Sequence, residues 1–158
     1  MKTAAVLTVS DSSSRGERAD ISGPAMAEFL RQSGFEVTRQ ETVPDEQATI
    51  ESALIDLSDQ VQLIVTTGGT GIAERDVTPE ATRAVCSRLI EGIPEKMRAS
   101  GLEHTPYAIL SRGVCGIRGR TVILNLPGSP DGAAQSLEAV IEVLPHVVDL
   151  LAGMTDHK

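Results

Sequence analysis

Chemistry in this chain points first to a glycine-rich stretch and to two aspartates. Between Thr66 and Thr82 the sequence reads TTGGTGIAERDVTPEAT. Gly68, Gly69 and Gly71 leave the backbone free to take positive φ and let another molecule approach it closely. A glycine-rich link from strand to helix is a common phosphate holder, because its N–H groups lack partners within the chain. Asp76 follows in the same stretch, and Asp45 stands in a second loop, Pro44-Asp45-Glu46. Carboxylates repel phosphate unless a cation lies between them. Mg²⁺ is bound in this way, through one or two carboxylates and the substrate's own oxygens. The residue types therefore point to a Mg²⁺–nucleotide site. The GGTG loop would donate to phosphate, Asp45 and Asp76 would hold the metal, and Arg75, Arg98 and Arg112 are candidate counter-charges.

For these residues to act together, the fold must bring them together. Residues 3–10 form a short apolar run expected to be a buried central strand. A long polar loop follows at 11–24, with Ser22 as a candidate cap for a helix carrying Ala25, Met26, Phe29 and Leu30 on one face. Gly34 ends that helix at C′. Residues 35–43 alternate as a strand with one less buried face, and Ile50, Leu54 and Leu57 mark the next helix. Residues 61–67 are a third strand leading into the glycine loop, with Thr78 as N-cap and Pro79 as the first residue of a helix over 79–90. A helix around 94–102 follows. Residues 107–112 fit a short helix or a strand equally. Residues 114–118 and 121–126 form a hairpin turning at Gly119, and the last helices carry Leu137, Ile141 and Leu144, with Pro145 separating a final piece through Leu151. This alternation implies an α/β fold, a mostly parallel sheet covered by helices on both sides. In such folds the loops after the strands' carboxyl ends share one rim where ligands bind. Asp11, Asp45, Gly68–Gly71 and Asn125–Ser129 should meet there.

Taken singly, each has a plainer role. Asp45 fits a helix N-cap. Asp76 fits a surface pair with Arg75. Asp11 and Asp20 fit loop or Asx-turn residues, and Leu126-Pro127-Gly128-Ser129-Pro130 fits a turn and helix start. Two common nucleotide motifs are disfavoured: the Gly-Lys-Ser/Thr ending of a Walker loop is missing, and no GxGxxG follows the first strand. His104, His146 and His157 form no Ser-His-Asp arrangement.

The 158 residues suggest one domain over 1–158, with 41% hydrophobic and 23% charged residues as in ordinary globular proteins. No Trp, two Phe and one Tyr leave an aliphatic core and no base-stacking platform. A net charge of −8 disfavours nucleic acid and anionic membranes as partners. No signal peptide or membrane-length apolar run is recognisable, so a cytoplasmic protein is expected. Cys86 and Cys115 have no metal-type spacing and are expected to be reduced and partly buried.

Together these motifs resemble a known family. SDS at Ser10-Asp11-Ser12 with Asp20 and Ser22-Gly23, Pro44-Asp45-Glu46, TTGGTG followed by Arg75-Asp76-Val77-Thr78-Pro79-Glu80, Gly92-Ile93-Pro94-Glu95 with Met97-Arg98, Leu110-Ser111-Arg112, and Asn125 through Pro130 are similar to molybdopterin adenylyltransferases of the MogA/MoaB type. The resemblance covers roughly residues 4–152. It implies a three-layer α/β/α fold and a Mg²⁺-dependent transfer of adenylyl from ATP to molybdopterin, releasing pyrophosphate. It places the family's essential aspartates on Asp45 and Asp76. It assigns phosphate contacts to the loop Thr67, Gly68, Gly69, Thr70 and Gly71 and to Ser10, Asp11 and Ser12, with Asp20 nearby. Ser111, Arg112, Asn125, Pro127, Gly128 and Ser129 fall on the pterin side. It further implies a homotrimer and hand-over of product to a molybdate-inserting enzyme. The alternative is a non-catalytic molybdopterin carrier.

Overall fold

The computed structural model describes residues 1–155, so His157 lies outside the described residues. β1 (Thr3–Val9) is buried from Ala4 onward. One helical turn, α1 (Asp11–Ser14), and a polar loop lead to α2 (Ser22–Gln32), which Gly34 closes at φ +96° before β2 (Glu36–Val43). The pattern repeats with α3 (Gln47–Ser58), β3 (Leu63–Thr67) and α4 (Thr78–Val85). Then come β4 (Arg88–Leu89), α5 (Gly92–Gly101) and a 3₁₀ turn at Pro106–Leu110. The hairpin β5 (Cys115–Arg118) and β6 (Thr121–Leu126) precedes α6 (Pro130–Val140) and α7 (Leu144–Leu151).

The sheet order is β2-β1-β3-β6-β5-β4. β2, β1, β3 and β6 run parallel, and β5 is antiparallel to both β6 and β4. Side chains alternate across it with the two-residue period of a strand. Ala4 and Val6 join Met26, Leu30, Met97, Leu137 and Leu144 on the face covered by α2, α5, α6 and α7. Ala5, Leu7 and Val9 join Ile50, Leu54, Leu57, Ala81 and Val85 under α3 and α4. The expected α/β/α layering is therefore borne out, with a mainly aliphatic core that includes Met26, Met97, Cys115 and Phe35. Each fully buried leucine, such as Leu7 or Leu54, contributes roughly 2 kcal/mol. β2 is an edge strand, guarded by charges such as the Arg39–Glu41 pair at 3.0 Å. Both cysteines are free, and burial pushes their thiols up to about 11 for Cys86 and about 12 for Cys115. Such thiols are unreactive. Among the described residues no helix is long and apolar enough to cross a membrane.

Three expectations need correction. The helix predicted over 79–90 stops at Val85, because the next residues pair with the sheet: Ser87 N–H donates to Ile117 O at 2.9 Å and Ile90 N–H to Cys115 O at 2.8 Å. Gly116 permits this, since a Cβ there would stand 2.9 Å from Cys86 Cβ. Ser22 does not cap α2. Ile21 takes the N-cap position without a side-chain bond, Asp20 before it accepts the Gly23 N–H at 2.9 Å, and the Ser22 hydroxyl donates to Gly128 O at 2.6 Å. Thr78 is inside α4, and Val77 takes the N-cap position without a side-chain bond.

The topological switch lies between β1 and β3, since the chain passes from β1 to β2 on one side and to β3 and β6 on the other. Ligands bind at such a point, beyond the strands' carboxyl ends.

Candidate active site

Gly68 and Gly69 take φ of +95° and +70° in succession, turning the chain sharply off β3. Gly68 N–H donates to Leu126 O at 3.1 Å, and a Cβ added to Gly128 would stand 3.3 Å from Gly68 Cα. The loops after β3 and β6 thus meet backbone to backbone. Thr78 anchors the turn from the other side: its N–H donates to Gly69 O at 3.1 Å and its buried hydroxyl to Gly68 O at 3.0 Å. Among the described residues none accepts from the N–H groups of Gly69, Thr70 or Gly71. Free N–H groups in succession are what an anion site requires.

The two aspartates flank this loop. A Cβ on Gly69 would lie 3.3 Å from Asp45 Oδ1, and one on Gly71 2.8 Å from Asp76 Oδ2. Asp76 is held by its own turn, its Oδ2 accepting Ala73 N–H and its N–H donating to Ala73 O, both at 3.0 Å. Asp45 and Asp11 exchange bonds. Asp45 N–H donates to Asp11 Oδ1 and Asp11 N–H to Asp45 Oδ2, each at 2.9 Å. The plainer roles of Asp45 and Asp76 therefore fail, whereas the LPGSP loop does start a helix, with Ser129 capping α6. α3 begins with Glu46 at the N-cap position and no side-chain cap. Arg75 reaches back to Asp11 in a two-pronged pair at 2.7 and 2.9 Å.

Burial pushes the Asp45 pKa above its ordinary value, and the charges of Asp11 and Asp76 add to this against the opposing Asp11 N–H bond. A standing cost of this kind is what a divalent cation relieves. Among the described residues no group of three or more His, Cys, Asp or Glu could hold a metal by itself. The pair instead fits Mg²⁺ that draws further ligands from substrate oxygens.

Asp11 behaves oppositely. Its bonds from Arg75, then from the Asp45 N–H, hold its pKa down to about 2. A depressed folded-state value contributes stability above the ordinary carboxylate range, lost as pH falls toward 2. Arg75→Gln should therefore move the acid-unfolding midpoint to higher pH and leave the neutral-pH fold intact. Circular dichroism across an acid titration checks this, and an unchanged midpoint counts against it.

Arg98 lines the site and spends one nitrogen on Ser111 O at 3.4 Å and Gly113 O at 3.2 Å. With Arg75 and Arg112 both ion-paired, Arg98 is the counter-charge best placed for a ligand. A cleft of about 520 Å³ opens between the glycine loop, α5 and the start of α6, with Asp76, Ser111 and Pro127–Ser129 in its wall. Met97, Tyr107 and Leu110 give it an apolar side, and none of the three is among the site residues expected from the sequence. A signal existed: Thr105-Pro106 starts the 3₁₀ turn, with the Thr105 hydroxyl accepting Tyr107 N–H at 3.3 Å. A second, more polar cleft of about 410 Å³ holds Ser10, Arg18, Asp20 and Thr67, across the Gly68–Gly128 crossing. The Thr67 hydroxyl is buried there without a partner.

A family model described as "Probable molybdopterin binding domain" matches residues 5–146. A curated molybdopterin adenylyltransferase from Helicobacter pylori is 45% identical over 152 residues, covering 94% of this chain and 86% of that protein. The chain belongs to the molybdopterin adenylyltransferase family of the MogA/MoaB type. Another family member, from Escherichia coli, is 44% identical over 147 residues, 90% of this chain and 75% of its own length. The crystal structure of the molybdopterin biosynthesis enzyme MoaB from Thermus thermophilus superposes with a TM-score of 0.91 at 53% identity, covering 97% of this chain and 98% of that one.

Several residues that the family resemblance assigns to substrates spend their hydrogen bonds within this adenylyltransferase-family chain, and Asn125 reaches neither cleft. Asn125 is 1% exposed on β6. Its Oδ1 accepts Val114 N–H at 3.1 Å, and its Nδ2 donates to the hydroxyls of Thr66 at 3.1 Å and Thr82 at 2.9 Å. It joins β6 to β3 and α4 beneath the site. Ser10 caps α1 by accepting Ser13 N–H at 3.2 Å, with the Ser12 hydroxyl 3.3 Å away. Asp20 is held by the Thr8 hydroxyl at 2.6 Å. Asn125→Leu strands several buried polar groups and should cost about 3 kcal/mol. Chemical denaturation measures the loss, and turnover per folded molecule should stay near wild type.

Proposed function

We infer that this chain transfers the adenylyl group of ATP to molybdopterin. The observation that carries the inference is a pair of carboxylates flanking a glycine loop whose N–H groups are free. The terminal phosphate oxygen of molybdopterin attacks the α-phosphorus of ATP. The bond from that phosphorus to the bridging oxygen breaks, and pyrophosphate leaves. Reactions of this type need positioning and charge neutralisation more than a protein nucleophile. Gly69, Thr70 and Gly71 donate their N–H groups to phosphate oxygens. Asp45 and Asp76 would hold Mg²⁺, which supplies charge neutralisation at the phosphates when bound. Arg98 adds positive charge from the wall of the larger cleft. The apolar side of that cleft, with Met97 and Tyr107, suits a flat heteroaromatic ring, which both substrates carry.

We further place the protein in the cytoplasm as a homotrimer acting as one molybdopterin-binding unit, handing its product to a molybdate-inserting enzyme. Sedimentation at defined concentration tests the assembly. Incubation with molybdopterin, ATP and Mg²⁺ should give pyrophosphate and an adenylylated pterin. Folded protein that keeps its pterin and makes neither product would be a carrier, and the inference would fall.

A further inference from the structure

Arg112 resembles the family's pterin-side residues, yet its guanidinium is committed elsewhere. Nε donates to Gly71 O at 2.7 Å and Nη2 to Asp76 O at 2.6 Å. These carbonyls are the two ends of the short loop that carries Asp76. Nη1 donates to Glu80 Oε2 at 2.7 Å, and Nη2 reaches Glu80 Oε1 at 3.3 Å. The Arg112 main-chain N–H donates to Thr70 O at 2.8 Å. One residue from the segment before β5 therefore grips the glycine loop at Thr70, Gly71 and Asp76. We propose that Arg112 is a positioning residue for the reaction, holding the Gly71–Asp76 loop closed so that the Asp76 carboxylate stays against the glycine backbone, with Glu80 orienting its guanidinium.

The Arg112–Glu80 ion pair is about two-fifths exposed on each side, so the pair by itself adds little. Its value lies in aiming the planar fork at two carbonyls at once, which a lysine cannot reproduce. Gly71 leaves no room to spare, since a Cβ there would stand 2.8 Å from Asp76 Oδ2. Opening the loop would carry that carboxylate away from the phosphate-binding N–H groups. Displacements of this order cost catalysis heavily even when every reacting group is present.

The role rests on the adenylyl-transfer function proposed above, and its test separates the two. Arg112→Ala should lower kcat about 100-fold. KM for molybdopterin should stay nearly constant, while the Mg²⁺ concentration for half-maximal rate rises. Arg112→Lys should behave like Arg112→Ala, Glu80→Gln should show a smaller loss of the same kind, and added guanidine at sub-denaturing concentration should restore part of the Arg112→Ala rate. The Arg112→Ala, Asp76→Asn double variant should lose no more than Asp76→Asn alone, because both act through one carboxylate. A readout independent of turnover is Mn²⁺ binding with a non-hydrolysable ATP analogue, followed by electron paramagnetic resonance. It should weaken in Arg112→Ala. Should that variant fail to fold, Glu80→Gln and Arg112→Lys carry the same comparison. A raised KM for molybdopterin with unchanged metal response would make Arg112 a substrate contact and overturn the proposal, as would additive losses or unchanged Mn²⁺ binding. Wild-type protein that makes no product would sink the adenylyl-transfer function alone, and Mn²⁺ binding would still decide the role of Arg112.

Discussion

Asp45→Asn and Asp76→Asn will each lower turnover by at least about 100-fold while the protein stays folded. Both substitutions keep size and shape and remove one negative charge. At Asp45 the amide oxygen can still accept the Asp11 N–H, so the bond between the first and second loops survives. At Asp76 it can still accept the Ala73 N–H. What each loses is the charge next to the glycine loop. Asp45→Asn carries a second signature. A carboxyl whose folded-state pKa lies above its unfolded value favours folding while protonated. It turns into a cost as pH rises through the ordinary carboxylate range to its raised value. At neutral pH the wild-type protein without metal bears that cost and the Asn variant does not. The thermal midpoint of Asp45→Asn should therefore exceed that of metal-free wild type at pH 7, with the gap closing as pH falls through the raised pKa. Mg²⁺ with ATP should raise the wild-type midpoint and leave that of the variant almost unmoved. Steady-state rates and melting curves check both halves. A variant that is less stable and fully active would return Asp45 to a structural role.

Gly68→Ala should cost about 4 kcal/mol, combining a strained backbone with a steric collision. The backbone sits at φ +95°, and a Cβ would run into the carbonyl oxygen of Val9 with Val9 C only 3.3 Å away. Val9 ends β1, so nothing flexible can yield. Relief requires β1 and β3 to part at the topological switch, where the site is built. Melting should fall by roughly 10 °C in a domain of this size, and turnover should fall with it even below the melting range. Gly119→Ala is the matched control. It also has positive φ, at +58°, but its Cβ would meet nothing within 4 Å. Strain alone should cost about 1 kcal/mol there and leave activity intact.

Much of the site could be read from the chain because it rests on local signals. The strand-to-helix order placed the loops after β1, β2, β3 and β6 on one rim, and glycines marked where backbone must come close. Asp45 and Asp76 stood out because carboxylates beside a phosphate loop call for a cation. Partners across long sequence separations could not be read in this way. Arg75 sits beside Asp76, yet it pairs with Asp11, 64 residues away. Arg112 sits in a motif that suggests substrate, yet its donors end on Gly71, Asp76 and Glu80. Asn125 precedes the LPGSP loop, but its place inside β6 turns its side chain beneath α4, where Thr82 and Thr66 engage it. β4 was hidden because two residues carry no periodicity, and only pairing with Gly116 and Ile117 makes them a strand.

Adenylyl transfer at the two-aspartate loop is tested most directly by following label from ATP. Wild-type protein and Asp76→Asn are incubated side by side with molybdopterin, Mg²⁺ and ATP labelled at either the α- or the γ-phosphate. Wild type should move the α-label onto the pterin and the γ-label into pyrophosphate, and Asp76→Asn should do neither at a comparable rate while still melting as a folded protein. Pterin that stays bound to wild type without α-label, or that acquires the γ-label, would contradict the account.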